Sequence, residues 1–591
     1  MICTTFNQMT KFGTLSKLIE RYDKLMVKAR IPISGDEYLR KTFLYSFIIA
    51  LIAIPSLYFL LSYFKIPLFL QLILIALIAL LTPILFIIKP YYIITFRRSR
   101  IDYNLHHACA LLYAVTKAGI QPLEAFQYLV EHKHIYREVA EEFEIAIKRV
   151  KYLGENLYSA LQYVGSTTSS KRLKEFIEGF IVKTRQSLTI EAYFQKKFEE
   201  FFELERTSRE SIVKIFSLFG ELAIILTALT PTLMLTVGLS LGIINPDILH
   251  WCNIYMILAT PIFTSLTLIS MRAFCPLDEV VSVTKFTHQL PLIGNIPLKI
   301  GKSNVSEKNF MIKEKLFMLK HAFKKPLVLF FLYPWVILLI SLIILVIVIN
   351  FLYITNHNLN ALLTYTILGL LIIGTIFHEV RFRYVMSIER RTPDFLKSLV
   401  ETLKMGGSII NAINTIIESG FGLLKREIKD VKATKFGLPL KRSLIIIEYR
   451  TASLILKRVL SLLIKAFEST RDLKDILLMA AEDAETYIKL RRERALNLLG
   501  YVISLYICFT VYLYVHSILK NEFLTTLTTV KGFVISESIK ILLIESYYVA
   551  IFLSIMLGLM AGIMLEGNIL SGLKHSLIMI SILIFWLGVI P

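Results

Sequence analysis

A chain of 591 residues, 55% of them apolar and with mean hydropathy +0.63, is too hydrophobic to be built from ordinary soluble domains. Its five cysteines (Cys3, Cys109, Cys252, Cys275, Cys508) are scattered without CxxC spacing, which argues against a metal centre or a disulfide framework. The formal charge of +21 sits in particular segments, and their placement carries information about topology.

Residues 1–41 are mixed polar and basic and lack the short apolar core of a secretory signal, so none is expected. Apolar runs of roughly 20 residues, each long enough to cross a bilayer core, then centre on Leu51, Leu77, Ala228, Leu258, Leu342, Leu368, Tyr506, Phe552 and Ile582. This pattern predicts an all-α, polytopic membrane protein with about nine transmembrane helices. Segments 1–41, 89–214, 272–326 and 381–498 hold 61 of the 66 Lys and Arg. The short loops Asn245–Asn253 and Thr355–Asn360 hold none. Basic residues stay in the cytoplasm, which predicts a cytoplasmic N-terminus, cytoplasmic polar segments and a C-terminus outside.

The organisation repeats. Lys117-Ala118-Gly119 followed by Leu123-Glu124-Ala125-Phe126 returns as Lys404-Met405-Gly406 followed by Ile410-Asn411-Ala412-Ile413, about 287 residues later. Gly154-Glu155-Asn156-Leu157 with Leu161 returns as Gly437-Leu438-Pro439-Leu440 with Leu444, at an offset of about 283. The expected plan is a cytoplasmic segment (1–41), a membrane hairpin (42–88), a first cytoplasmic domain (89–214) and a second hairpin (215–271). A cytoplasmic linker (272–326), a hairpin (327–380), a second cytoplasmic domain (381–498) and three C-terminal spans (499–591) complete it. Each repeat has four crossings, so the copies share one orientation, unlike the inverted repeats of many transporters.

Both polar domains read as helical bundles. Leu111, Leu112, Val115 and Ala118 form a helical stripe that should stop at Gly119. Pro122 suits the first turn of the next helix, and Phe143, Ile147 and Val150 mark a third stripe ending at Gly154. The charged stretch from Thr189 to Arg209 has neither Pro nor Gly and runs into the apolar block at Ile215. Asp472 to Arg494 leads into Leu498 in the same way, so a long helix should carry each bundle into the membrane.

No catalytic, cofactor-binding or metal-ligating constellation stands out. Gly301-Lys302-Ser303 imitates the end of a nucleotide-binding loop, but the position that must be glycine is Ile296. His106-His107 and His378-Glu379 lack the spacing that puts two ligands on one helix face, and no third ligand is evident. Glu221 is an acid inside an apolar run and therefore a functional candidate by default. No acid occurs at its repeat equivalent near Ser504, and the structural reading, an acid near the cytoplasmic end, is the stronger.

The second polar domain is the more basic. It has 23 basic and 14 acidic residues over 381–498, against 20 and 16 over 89–214. Lys425, Arg426, Lys429, Lys432 and Lys435, then Lys441 and Arg442, lie in the body of that domain, where an acidic protein surface is a fitting partner and a solvated face is the plain alternative. Arg381, Arg383, Arg491, Arg492 and Arg494 border predicted spans and suit anionic lipid. Nucleic acid is not expected, because the basic residues are not interleaved with exposed aromatics.

Two helical domains, each with a Lys-x-Gly turn and a later Gly-x-x-Leu turn and each followed by paired membrane helices, resemble the type II secretion system F domain. The two-copy, nine-helix form resembles the archaeal platform proteins of the archaellum and type IV-like pili. It departs from the pattern at Gly406-Gly407, which has no following proline, and at Pro439 beside Gly437. The resemblance implies a non-enzymatic membrane platform without cofactors, engaged by a hexameric secretion ATPase that drives pilin-like subunits into a filament, with a homodimer possible. It makes Lys425, Arg426, Lys429, Lys432, Lys435, Lys441 and Arg442 candidates for contact with the ATPase. A multi-span transporter or channel is the alternative, and a membrane receptor or lipid-bound scaffold is a third class.

Overall fold

The computed structural model describes residues 13–63, 68–185, 189–242, 246–274, 359–407, 411–413, 420–428, 440–451, 453–466, 473–523, 526 and 537–587. Among them every regular element is a helix. The described residues fall into two compact units, one within Met1–Glu205 and one within Arg206–Phe467 and Asp472–Pro591.

In the first unit, α1 (Gly13–Ala29) packs on α2 (Gly35–Tyr63) and on α3 (Leu68–Lys117). Tyr22 and Tyr38 each donate a hydroxyl hydrogen bond to a carbonyl of α3, at Ile87 (3.2 Å) and Phe86 (2.9 Å). The basic N-terminal stretch is therefore built into the unit. Helix α3 runs for 50 residues and then yields to a helical bundle of α4 (Pro122–Glu131), α5 (Lys133–Leu153), α6 (Leu157–Thr167) and α7 (Lys171–Arg185). Gln121 caps α4 from an extended conformation with Pro122 in its first turn, where proline's missing N–H costs nothing. Gly154 ends α5 in the left-handed conformation (φ +66°), and Asn156 caps α6 by accepting the Ser159 N–H at 2.8 Å. The core of this bundle is aromatic: Phe126 stacks on Phe143 at 4.7 Å, and Phe176, Phe180, Phe194 and Phe201 are all buried.

Helix α8 (Ile190–Ala223) continues through a π segment (Ile224–Leu229) into α9 (Thr230–Gly242). Helix α10 (Pro246–Ile254) does the same through Tyr255–Ala259 into α11 (Thr260–Phe274). Both π segments sit immediately before a Thr-Pro pair, Thr230-Pro231 and Thr260-Pro261. Proline donates no hydrogen bond and its ring crowds the carbonyl four residues earlier, so a wider turn just before it relieves the clash.

The second copy follows with α12 (Leu359–Lys404), α13 (Gly422–Ile428), α14 (Leu440–Arg450), α15 (Leu454–Ala466) and the 46-residue α16 (Leu473–Ile518). Its bundle core is aliphatic where the first is aromatic. At an offset of 283, buried Phe176, Phe180 and Phe194 correspond to buried Val459, Leu463 and Leu477. The final helices are α17 (Glu537–Glu566) and α18 (Leu573–Leu587).

Among the described residues six helical stretches are long and apolar enough to cross a membrane: Ile190–Leu241, Trp251–Ala273, Thr364–Lys404, Lys474–Phe523, Ile541–Glu566 and Ile569–Leu587. They contain the predicted centres Ala228, Leu258, Leu368, Tyr506, Phe552 and Ile582. Leu51 and Leu77 fall in helices α2 and α3, whose apolar parts are described incompletely, and Leu342 lies outside the described residues. The expectation that a continuous helix leads from each polar domain into the membrane holds for Ile190–Leu241 and for Lys474–Phe523.

One packing device was not anticipated. Gly558 and Gly562, spaced GxxxG on α17, lie against Ser576 and Gly572, so close that a Cβ on either glycine would collide with backbone. Small residues at this spacing let membrane helices approach through their backbones. We expect Gly562→Leu to separate α17 from α18 and to cost roughly 1–3 kcal/mol or more. Thermal unfolding of the purified chain in mild detergent would register this as a lowered midpoint, whereas Gly369→Leu, at a position with open space, should be nearly silent.

Candidate functional site

The repeated turns have the same geometry. Gly119 (φ +85°) and Gly406 (φ +82°) both adopt the left-handed conformation that glycine takes without a Cβ penalty. Gly119 N–H donates to Thr116 O (2.9 Å) and Ile120 N–H to Val115 O (3.4 Å). In the second copy Gly406 N–H donates to Leu403 O (3.2 Å) and Gly407 N–H to Thr402 O (3.1 Å). Every donor and acceptor in one pair matches the other at an offset of 287, and each turn ends a long helix, α3 or α12. Gly437, the partner of Gly154, lies outside the described residues.

A second duplicated feature is absent from the sequence reading. Ser170 caps α7 by accepting the Leu173 N–H (3.0 Å), and its hydroxyl donates to the half-buried carboxylate of Asp102 on α3. Ser453 caps α15 by accepting the Leu456 N–H (3.2 Å), and its hydroxyl donates to buried Glu389 on α12 (3.3 Å). The serines are 283 apart and the acids 287 apart. Each acid also has an arginine nearby, Arg98 at 3.7 Å from Asp102 and Arg491 at 3.6 Å from Glu389. The pairing joins residues 68 and 64 positions apart, across the four-residue shift in register, so no local pattern betrays it.

Charge is handled differently in the two copies. In the first, Glu142 has a fully buried side chain held by Arg30 (2.5 Å) and Arg97 (3.1 Å), while Arg97 also reaches Glu141 (2.8 Å) and Arg100 meets Glu138 (2.6 Å). These cations are spent inside the unit. In the second copy, Lys425 on α13 and Lys441 on α14 are exposed. Arg426 and Arg442 lie on the same two helices, and Lys429, Lys432 and Lys435 lie outside the described residues.

Other sequence candidates are placed as follows. Glu221 is exposed on α8 and accepts a hydrogen bond from the Tyr501 hydroxyl at 3.3 Å. Glu379 is half-buried and pairs with Arg383 (2.7 Å) and Lys574 (3.5 Å). Cys109 is fully buried, and burial pushes its thiol well above the ordinary range, which makes it inert. Gly301-Lys302-Ser303 lies outside the described residues.

Residues 108–238 and 395–519 both match the family model described as Type II secretion system (T2SS), protein F. The chain carries the type II secretion F domain twice. The domain is that of membrane platform proteins of secretion and pilus machinery, and the present chain is a multi-pass membrane protein with that domain in both halves. An uncharacterized protein of Methanocaldococcus jannaschii is 24% identical over 513 residues, covering 84% of this chain and 80% of the relative. No solved structure matches the chain. Both F-domain matches contain the end of the long helix α3 or α12, the glycine turn, the N-capping serine and the helix that leads into the membrane.

Two outcomes follow for Asp102 and Glu142. Burial raises the Asp102 carboxyl pKa, opposed by the Ser170 hydrogen bond and by Arg172 and Arg98. A raised folded-state pKa means this group's contribution is fully present below the ordinary carboxylate range, near pH ~4, and is lost as pH rises through the folded value. Asp102→Asn, which cannot ionise, should therefore gain stability relative to the native chain as pH rises from about 4 to 7, read as the difference in thermal midpoints. Glu142→Ala removes the carboxylate from Arg30 and leaves Arg97 with Glu141 as its remaining ion-pair partner, and should cost about 3–5 kcal/mol in the same assay.

Proposed function

We infer that this chain is the membrane platform of an archaeal type IV pilus-like or archaellum assembly machine, coupling a cytoplasmic hexameric ATPase to the insertion of pilin-like subunits into a filament. The observation that carries this reading is the F domain matched twice, each copy leading into a long helix that continues as a candidate membrane span. The relative from Methanocaldococcus jannaschii supports the archaeal assignment.

The chain acts without catalysis or cofactor of its own. Residues 89–214 and 381–498 are the two cytoplasmic domains, the N-terminus is cytoplasmic and the C-terminus is outside. Close contacts among Glu379, Glu566 and Lys574 favour this topology, because they bring the α17–α18 turn to the cytoplasmic end of the apolar part of α12. The exposed arginines Arg383 and Arg492 border the spans, where anionic lipid attracts them. The second copy is the motor-facing one. The second copy has Lys425 and Lys441 exposed, in a stretch that also holds Arg426, Lys429, Lys432, Lys435 and Arg442. A homodimeric platform would double that surface.

Complementary charge mostly sets encounter and specificity. Reversing Lys425, Arg426, Lys429, Lys432, Lys435, Lys441 and Arg442 to Glu should abolish co-purification with the cognate secretion ATPase, and filaments should disappear. Undiminished binding of the reversed chain would sink the assignment of this surface.

A further inference from the structure

The helices that carry the two copies into the membrane meet each other. Gly220 of α8 lies against the ring of Tyr501 on α16, where a Cβ would fall 2.9 Å from Tyr501 Cδ1. This close crossing exists because residue 220 has no side chain. Within about three turns on the cytoplasmic side of it, a cleft with about 240 Å³ of open space separates the helices. Arg209, Glu210 and Lys214 line it from α8, and Arg491, Glu493 and Arg494 from α16, with Ile212, Val213 and Leu490 as apolar wall.

The two walls occupy equivalent stretches of the repeat, for Glu210 and Glu493 are 283 residues apart. They differ where it matters. Arg491 and Arg494 stand where the first copy has Ser208 and Ser211. The α16 wall therefore provides two guanidiniums that have no counterpart on α8, whose cations at the cleft are Arg209 and Lys214. Both guanidiniums are largely withdrawn from solvent, with Arg491 at 9% and Arg494 at 7% exposure. Arg491 is fixed by Glu389 at 3.6 Å and lies over the Phe382 ring at 5.5 Å. Arg209 is fixed over Tyr487 at 4.8 Å. With Glu389 counted beside Glu210 and Glu493, four cations face three carboxylates, which leaves the cleft a net positive charge.

Fixed arginines are suited to phosphate oxygens, which their planar fork can engage through two parallel bonds. A water molecule's share of liquid volume is about 30 Å³, so the cleft has room for a phosphodiester and part of the glycerol beside it. Its place, just before apolar stretches that enter the bilayer, is the headgroup level. A soluble acidic protein would have to reach into this confined space between helices, whereas a lipid headgroup is already there.

We propose that this cleft is a stoichiometric binding site for the phosphodiester headgroup of an anionic membrane lipid, which bridges the entry helices of the two copies. The site stands apart from motor docking: it is measured on the purified chain alone, so its failure and that of the platform reading are separately visible.

The test is native mass spectrometry of the full chain released from nanodiscs of phosphatidylglycerol and phosphatidylcholine. The native chain should keep one phosphatidylglycerol through delipidation that strips phosphatidylcholine. Arg494→Gln should weaken retention about tenfold, and Lys214→Gln, an exposed and fold-neutral change, about fivefold. Arg492→Gln, the same charge loss on an exposed neighbour outside the cleft lining, should leave retention unchanged. Equal losses in Arg492→Gln and Lys214→Gln would mean diffuse surface attraction and would overturn the proposal. So would displacement of the lipid by millimolar inorganic phosphate, which would make this a free-phosphate site, or the absence of any retained lipid.

Discussion

A carboxylate drawn into the fold, fully buried at Glu389 and half-buried at Asp102, accepts a hydrogen bond from an N-capping serine, and on this interaction each bundle turns. Asp102 and Glu389 sit on the long helices α3 and α12, and Ser170 and Ser453 open the short helices α7 and α15 that close the bundles. Removing a carboxylate from water is costly unless it is paired and hydrogen-bonded. The serine hydroxyl and the nearby arginine make the burial tolerable and in doing so allow one placement of the short helix on the long one. The serine's oxygen also accepts an N–H from the first turn of its helix, so a single side chain ties helix start to helix packing.

From that shared frame the two copies diverge. The first spends its cations inside, around Glu142, and fills its core with stacked phenylalanines. The second fills equivalent positions with Val459, Leu463 and Leu477 and leaves Lys425 and Lys441 exposed. Duplication kept the turns and caps, which backbone geometry demands, and released the surfaces, which it does not.

The membrane region answers to a different constraint. Within the bilayer every backbone group must be satisfied by the helix itself, and helix association rests on close packing in place of hydrophobic burial. Glycine supplies that closeness at Gly220 against Tyr501 and at Gly558 and Gly562 against the last helix. The π segments before Thr230-Pro231 and Thr260-Pro261 show the same economy, with the backbone widened where proline forbids the ordinary ladder.

Periodicity and punctuation alone determined that this protein is helical, duplicated and membrane-embedded. A stripe such as Leu111, Leu112 and Val115, a stop at Gly119 and a proline at residue 122 are local signals, and local backbone physics reads them wherever they occur. The long entry helices were legible for the same reason, since neither Pro nor Gly interrupts Thr189 to Arg209. Only the tertiary structure decided which polar residues meet. Asp102 finds Ser170 across 68 positions, and Arg30 finds Glu142 across 112. Arg494 reads in sequence as one more juxtamembrane charge, yet it lines a cleft against Arg209–Lys214 of α8, at least 280 residues earlier in the chain. Such pairings depend on how helices cross, and helix crossing is set by the shapes of both partners, which no stretch of one helix contains.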